Sequence, residues 1–359
     1  MTRPRLDQLL AGYADGDAIS RQAVILRDLF RGWGHPADIF ADPAHVSPTL
    51  RADCRPLADY AGASGDVALH HYGLASHAAE VFAACAARKI LAYHNITPPE
   101  FFRGYDDAVV RQLADAQAQV AALARRVEAV WAVSNYDAAD LAARGVTGVR
   151  AFPLIFTPAA MDLAPDPVLM SRLPAPLKTL LSVGRLAPNK RIEDVIQAFA
   201  LYHYRINPFS RLIIVGSDRS CPRYCTMLKM LIGDLDVPNV CFEGFASPAG
   251  LVAYYKLADV FVSASAHEGY GLPLVEAMYH GVPVIARHAG GTSEALGQAG
   301  VLYEDLGAAE LAELIHRVLD DQPLRADILA SQQRRLRELA ERPLEQELRA
   351  LLANFLPAP

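Results

Sequence analysis

The chain has 359 residues, 52% of them hydrophobic and 21% charged, with a formal net charge of −6. It is long enough for about two cores, too apolar to be disordered, and too mildly acidic for any global attraction to nucleic acid. Five scattered cysteines, Cys54, Cys85, Cys221, Cys225 and Cys241, point away from a disulfide framework and toward a reducing compartment. Cys221 and Cys225 have no second pair at zinc spacing, so free thiols are expected. No apolar run reaches transmembrane length, and the amino terminus carries Asp7 and Asp15 rather than a basic segment. The expectation is a cytoplasmic protein that would meet a lipid-linked substrate only by peripheral contact at the membrane's inner face.

In chain order, Leu9–Tyr13 closes the first predicted strand. Asp15–Ser20 turns into a helix that runs to about Trp33 and is ended by Gly34 and Pro36. Predicted strands follow at Pro36–Phe40, Asp66–Tyr72, Ile90–Tyr93 and Ala129–Val133, with helices at His77–Arg88 and Asp106–Glu128. This β-then-α rhythm implies a parallel sheet covered on both faces. Between Phe152 and Pro176 six prolines (Pro153, Pro158, Pro165, Pro167, Pro174, Pro176) mark an extended connector and a domain boundary. The rhythm resumes with strands at Thr179–Val183, Leu212–Val215, Val240–Glu243, Val260–Ala264, Val284–Ala286 and Val301–Tyr303. A charged helical segment, Pro323 to Phe355, ends the chain. The expected division is residues 1–160, residues 161–340, and a tail, 341–359, packing back on the first domain.

Ligands of such sheets bind beyond the carboxyl ends of the strands, and the chemistry-bearing residues cluster there. After the strand ending at Ala264 come Glu268, Gly269-Tyr270-Gly271-Leu272-Pro273 and a helix carrying Glu276, stopped by Gly281 and Pro283. A glycine turn before a free helix N-terminus suits an anion, because the first N–H groups lack partners and the dipole favours negative charge. Two carboxylates beside an anion repel it unless they face hydroxyl groups, as on a sugar and a ribose. The same pattern also occurs as plain α/β packing, so the neighbouring turns matter. Gly184-Arg185 through Lys190 presents two cations after another strand, a fork and a compact charge suited to a diphosphate. Gly216 ends the next strand in a similar turn. In the first half, His94 ends a strand and enters a shaped loop, Asn95-Ile96-Thr97-Pro98-Pro99. His70, His71 and His77 lack carboxylates or cysteines at ligand spacing, so no metal is expected.

Together these residues resemble the retaining glycosyltransferases of family 4. The resemblance is strongest from Leu180 to Tyr303, through Glu268 and Glu276 with Gly-Tyr-Gly-Leu-Pro between them, and Gly184-Arg185 with Lys190. Gly16–Ser20, Tyr93–Phe102 and Val133-Ser134 are similar to a branch that builds bacterial cell-surface polysaccharides, lipopolysaccharide among them. The resemblance implies an α/β protein of GT-B fold, two Rossmann-like parallel-sheet domains facing each other across a cleft. It implies that Arg185, Lys190 and the amides of Gly271 and Leu272 hold a donor diphosphate and that Glu276 binds ribose. Glu268 would contact the transferred sugar, and Gly216, Gly244 and Phe245 would surround the base. His94 would face the sugar near the anomeric carbon, and Gly16 and Asp17 would approach the phosphate or acceptor. No metal and no cofactor beyond the nucleoside-diphosphate sugar is implied. Tyr270 stands where Phe is common, the connector lacks the usual Pro-Asn-Gly, and the first-domain loop has one glycine, Gly16, where many relatives have two.

The expected reaction is transfer of a hexosyl group, mannosyl favoured, with retention, to a glycan or polyprenyl-diphosphate-linked acceptor. GDP-mannose is the favoured donor, UDP-hexoses next. A nucleotide-sugar epimerase of the same fold and a catalytically silent nucleotide-sugar-binding partner are the alternatives. Incubating donor without acceptor separates the first, and tight binding with no turnover separates the second.

Overall fold

The computed structural model describes residues 3–158, 161–172 and 176–356, so Ala160, Pro174 and the last three residues lie outside the described part. The chain forms two compact units. Unit 1 is Met1–Pro99, Ala108–Ile155 and Arg342–Pro359; unit 2 is Glu100–Asp107 and Phe156–Glu341. A linear boundary near residue 160 does not anticipate the short segment Glu100–Asp107, which groups with unit 2.

Unit 1 holds a seven-stranded, all-parallel sheet in the order β3-β2-β1-β4-β5-β6-β7. Its elements are β1 (Leu6–Leu10), α1 (Ala18–Gly32), β2 (Ile39–Ala41), β3 (Arg55–Pro56), β4 (Val67–Tyr72), α2 (His77–Ala84), β5 (Arg88–Tyr93), α3 (Asp107–Ala124), β6 (Ala129–Ala132), α4 (Asn135–Ala143) and β7 (Arg150–Ala151). The first strand lies earlier than its apolar letters suggest. Asp7 and Gln8 sit inside it, fully or nearly buried, because both find partners. Asp7 accepts from the Arg5 guanidinium at 2.9 and 3.0 Å and from the Asp38 amide at 2.9 Å. Tyr13, expected to close the strand, makes only an isolated bridge to Val46. Likewise α2 stops at Ala84 rather than Arg88, where β5 already begins.

Unit 2 holds a six-stranded, all-parallel sheet in the order β10-β9-β8-β11-β12-β13. It comprises α5 (Pro167–Arg172), β8 (Lys178–Val183), α6 (Ile192–Arg205), β9 (Ser210–Val215), α7 (Pro222–Asp234), β10 (Val240–Gly244), α8 (Pro248–Leu257), β11 (Val260–Ser263), α9 (Leu272–Tyr279), β12 (Val284–Arg287), α10 (Thr292–Leu296), β13 (Val301–Tyr303), α11 (Ala308–Asp320) and α12 (Gln322–Ala340). The proline-rich connector is not wholly extended: α5 uses Pro167 at its start, where the missing N–H costs nothing. Inner strands such as β4, β8 and β9 are buried on both faces along nearly their whole length, which is why their sequences do not alternate apolar with polar.

The final helical segment is two helices, broken at Pro343. The second, α13 (Leu344–Leu351), belongs to unit 1. Leu348, Leu352 and Phe355 join Leu6, Phe30, Trp131 and Phe152 in one core cluster. Each such buried side chain contributes on the order of 2 kcal/mol. At the rim, Trp33 Nε1 donates to Glu345 at 2.8 Å, while the Arg349 guanidinium lies 4.1 Å from the Trp33 ring centre and that of Arg88 4.5 Å from Phe355's.

Candidate active site

Each sheet has a switch point, where consecutive connections leave in opposite directions and the strand ends open a crevice. In unit 2 this point lies between β8 and β11. The loop after β8 contains Gly184, Arg185 and Lys190; the loop after β11 contains Glu268, Gly271 and Leu272. Two bonds clamp the loops together: the Ala266 amide donates to the Asn189 carbonyl at 2.8 Å, and Asn189 Nδ2 donates to the His267 carbonyl at 3.1 Å. Asn189 is 4% exposed, so this clamp is shielded from water.

The clamp brings Lys190 onto Glu268. Their Nζ and Oε1 stand 2.5 Å apart, both side chains mostly but not wholly covered. Arg185 is exposed on the same loop. Gly271 starts α9 with φ 94°, a left-handed conformation that L side chains resist, and Pro273 follows in the first turn. One turn further on, Glu276 is buried and accepts from Tyr255 Oη at 3.0 Å. Tyr255 in turn stacks on His280, with ring centres 5.2 Å apart. Phe101, from the segment that groups with this unit, stands 6.2 Å from the His267 ring.

Gly216 has a packing role in addition to the one expected of it. A Cβ there would lie 1.8 Å from the Gly184 carbonyl oxygen, so only glycine lets the two strand ends meet. The Gly216 amide donates to the Gly244 carbonyl at 2.8 Å, and Phe245 beyond it is 61% exposed at the carboxyl end of β10. Sequence reasoning missed the tandem Gly290-Gly291 after β12. A Cβ at Gly290 would lie 2.0 Å from the Glu268 carbonyl oxygen, and one at Gly291 2.1 Å from that of Gly269. The Gly291 amide also donates to the Glu268 carbonyl at 2.9 Å. These glycines hold the backbone that carries Glu268. Two adjacent glycines a few residues after a predicted strand were the available signal.

In unit 1 the corresponding point lies between β1 and β4. His94 follows β5, half-buried, with Nε2 2.8 Å from His71 Nδ1. His71 Nε2 is 2.8 Å from Gln8 Oε1. His70, on the other face of β4, bonds the Leu9 carbonyl through Nδ1 at 2.9 Å. Burial, with His70 nearby, pushes the His94 imidazole down to about 3, and burial takes His70 down to about 4. Burial and the neighbouring imidazoles hold His71 well below its ordinary value. All three rings are therefore neutral near pH 7. Gly16 has φ 72° in the loop before α1, and Asp17 is that helix's N-cap: its Oδ2 accepts from both Ser20 N and Ser20 Oγ at 2.8 Å. The Asp17 carboxylate is thus engaged with its own helix. Among the described residues no group of three His, Cys, Asp or Glu side chains is placed to hold a metal ion, and no helix is long and apolar enough to cross a membrane.

Two such all-parallel units are the architecture of the GT-B fold. HepE from Anabaena, solved in complex with UDP and glucose, aligns over 98% of this chain and 100% of its own with a TM-score of 0.74 at 21% identity. Sucrose-phosphate synthase from Thermosynechococcus elongatus aligns over 98% of both chains with a TM-score of 0.76, also at 21% identity. Within that fold, residues 171–335, which carry the whole β8/β11 constellation, match the model of the glycosyl transferases group 1 family. The D-inositol 3-phosphate glycosyltransferase of Pseudarthrobacter chlorophenolicus is 29% identical over 227 residues, 62% of this chain and 50% of that protein. The chain spans half or less of the length of the curated relatives it first matches.

Proposed function

We propose that the protein is a retaining, metal-independent glycosyltransferase. It moves a hexosyl group, mannosyl favoured, from a nucleoside-diphosphate sugar to a glycan or polyprenyl-diphosphate-linked acceptor in surface polysaccharide synthesis. The observation that carries this reading is the Lys190–Glu268 pair at the switch point, beside the α9 N-terminus and above the buried Glu276. A diphosphate takes Lys190, exposed Arg185 and the amides of Gly271 and Leu272 as donors. Glu268, released from Lys190 in part, accepts from a sugar hydroxyl, and Glu276 accepts from ribose. Phe245 offers a ring face for a base. Complexes of HepE with UDP and with UDP-glucose support this donor class.

In the reaction the anomeric carbon becomes oxocarbenium-like while negative charge grows on the departing diphosphate. Cations and amides already fixed around that diphosphate stabilise the growing charge more than the ground state, which lowers the barrier. The acceptor attacks from the leaving group's own face, and the diphosphate takes its proton. His94 is neutral near pH 7, so it meets the sugar as a hydrogen-bonding group and not as a cation.

Calorimetric titration of UDP, GDP and ADP into the full chain tests the donor site. At least one should bind, and Lys190→Ala should weaken it by about 10- to 100-fold, the loss of a charge-assisted hydrogen bond. No binding across the panel, or equal affinity in the variant, would count against the site.

A further inference from the structure

The three polar side chains Gln8, His71 and His94 form a diagonal across unit 1's sheet. Register explains it: Gln8 of β1 lies opposite Leu69 of β4, and His71, two residues on, shares Leu69's face. His71 lies opposite Ala92 of β5, and His94 again follows two residues on. Each step moves toward the carboxyl ends of the strands, where ligands bind. Gln8 and His71 are 0% and 2% exposed, so every proton in the chain must be assigned to a partner.

The assignment starts from a group that cannot change role. Gln8 Nε2 lies 2.8 Å from the carbonyl oxygen of Ala23, on α1, and a carbonyl only accepts. The amide is thereby oriented, with Oε1 toward His71 Nε2 at 2.8 Å. An amide oxygen also only accepts, so His71 Nε2 carries the proton. A neutral His71 then has its lone pair on Nδ1, and His94 Nε2, 2.8 Å away, must be the donor. His94 is left with a lone pair on Nδ1. A cationic His71 would reverse the last step, but burial beside two imidazoles opposes that charge.

We infer that Gln8 and His71 are positioning residues that hold His94 in the Nε2-protonated tautomer, so that its Nδ1 acts only as an acceptor for a hydroxyl of the transferred sugar. This rests on the proposed reading of His94 as facing that sugar. The relay disfavours a donor sugar that offers an acceptor, such as a carboxylate, to His94, because two lone pairs would meet. It also distinguishes His94 from a proton-donating histidine.

The test is a long-range proton–nitrogen correlation spectrum of the full chain labelled with 15N-histidine. His94 should show its proton on Nε2 in the native protein; a proton on Nδ1 overturns the inference without any variant being needed. In Gln8→Met, which keeps the volume but removes the acceptor, an Nδ1-protonated His94 population should appear. Turnover should fall about tenfold while affinity for free nucleoside diphosphate stays within about twofold. An unchanged His94 pattern in folded Gln8→Met overturns the relay. The expected spectra with no transfer across a donor and acceptor panel support the relay and count instead against the transferase reading.

Discussion

At the β8/β11 switch of unit 2 the side chains are charged and partly open to water: Lys190 on Glu268, Arg185 exposed, Glu276 anchored by Tyr255. In unit 1 they are neutral and mostly shut away: Gln8, His71 and, on the opposite face of β4, His70 are buried, and His94, half-buried after β5, ends the chain of bonds. The strand order around the two switch points is the same, so the fold alone does not dictate the chemistry. A charged opening suits an anion that must bind and leave, since exposed cations need no permanent partner. A buried neutral chain suits a group whose orientation matters and whose charge must not change. On the proposed reading, affinity resides in unit 2 and orientation of the sugar in unit 1.

The sharpest way to break that division is His94→Ala. Turnover should fall about 100-fold, the scale of losing one preorganised hydrogen-bonding group. Affinity for free nucleoside diphosphate should stay within about twofold, because Lys190 and the α9 amides are untouched. Steady-state kinetics beside calorimetry checks both. Equal losses in binding and turnover would show that His94 belongs to the nucleotide site and erase the contrast.

Acid should weaken unit 1 in a way that follows from its neutral histidines. His70 and His94 titrate at about 4 and about 3 in the folded protein, and His71 lies well below its ordinary value. In the unfolded chain each titrates near about 6.5. As pH falls through that value the unfolded state takes up protons that the native state refuses, so stability is complete above it and declines below it. Asp38 and Asp53, held below the usual carboxylate range by Arg31, Arg5 and Tyr13 despite their partial burial, add a further loss only at lower pH. His280 in unit 2 is also down at about 4 and adds a share like that of His70. Thermal melts should show Tm lower by about 3 °C or more at pH 5.5 than at 7.5. A folded His70→Leu variant should show a shallower slope; an identical slope would remove His70 from this account.

Unit 2 was the more legible of the two, and the reason is physical. Its candidate site is built from residues contiguous in sequence, a strand, a glycine turn and a helix with no side-chain cap, so Glu268, Gly271 and Glu276 announce themselves by spacing. Lys190 likewise follows its glycine within one loop. What spacing does not carry is contact between distant loops, which is why the Asn189 clamp and the support from Gly290 and Gly291 went unseen. In unit 1, Asp7 and Gln8 hid β1, because polar letters in a strand suggest exposure until their partners are known. His70 and His71 were noticed but set aside for want of metal-ligand spacing. Their link to His94 depends on inter-strand register, which no local pattern reports. Glu100–Asp107 joined the other unit for the same reason: membership is decided by packing, not by order along the chain.

The smallest expected effect tests whether the residues proposed to bind in unit 2 are themselves oriented. Tyr255 Oη reaches Glu276 Oε2 at 3.0 Å and the Pro273 carbonyl at 3.3 Å, tying the carboxylate to the helix that carries it. Tyr255→Phe keeps the ring and its stack on His280 and removes only the hydroxyl. Loss of one hydrogen bond in a site that keeps its shape is worth about 0.5–1 kcal/mol, so affinity for a ribonucleoside diphosphate should drop about threefold. If Tyr255 acts by aiming Glu276 at ribose, the drop should be smaller for the 2′-deoxy analogue, which offers the carboxylate one hydroxyl fewer. Equal drops for the two nucleotides would mean that Tyr255 only packs, leaving unit 1 as the sole place where a relay of side chains sets the geometry of a binding group.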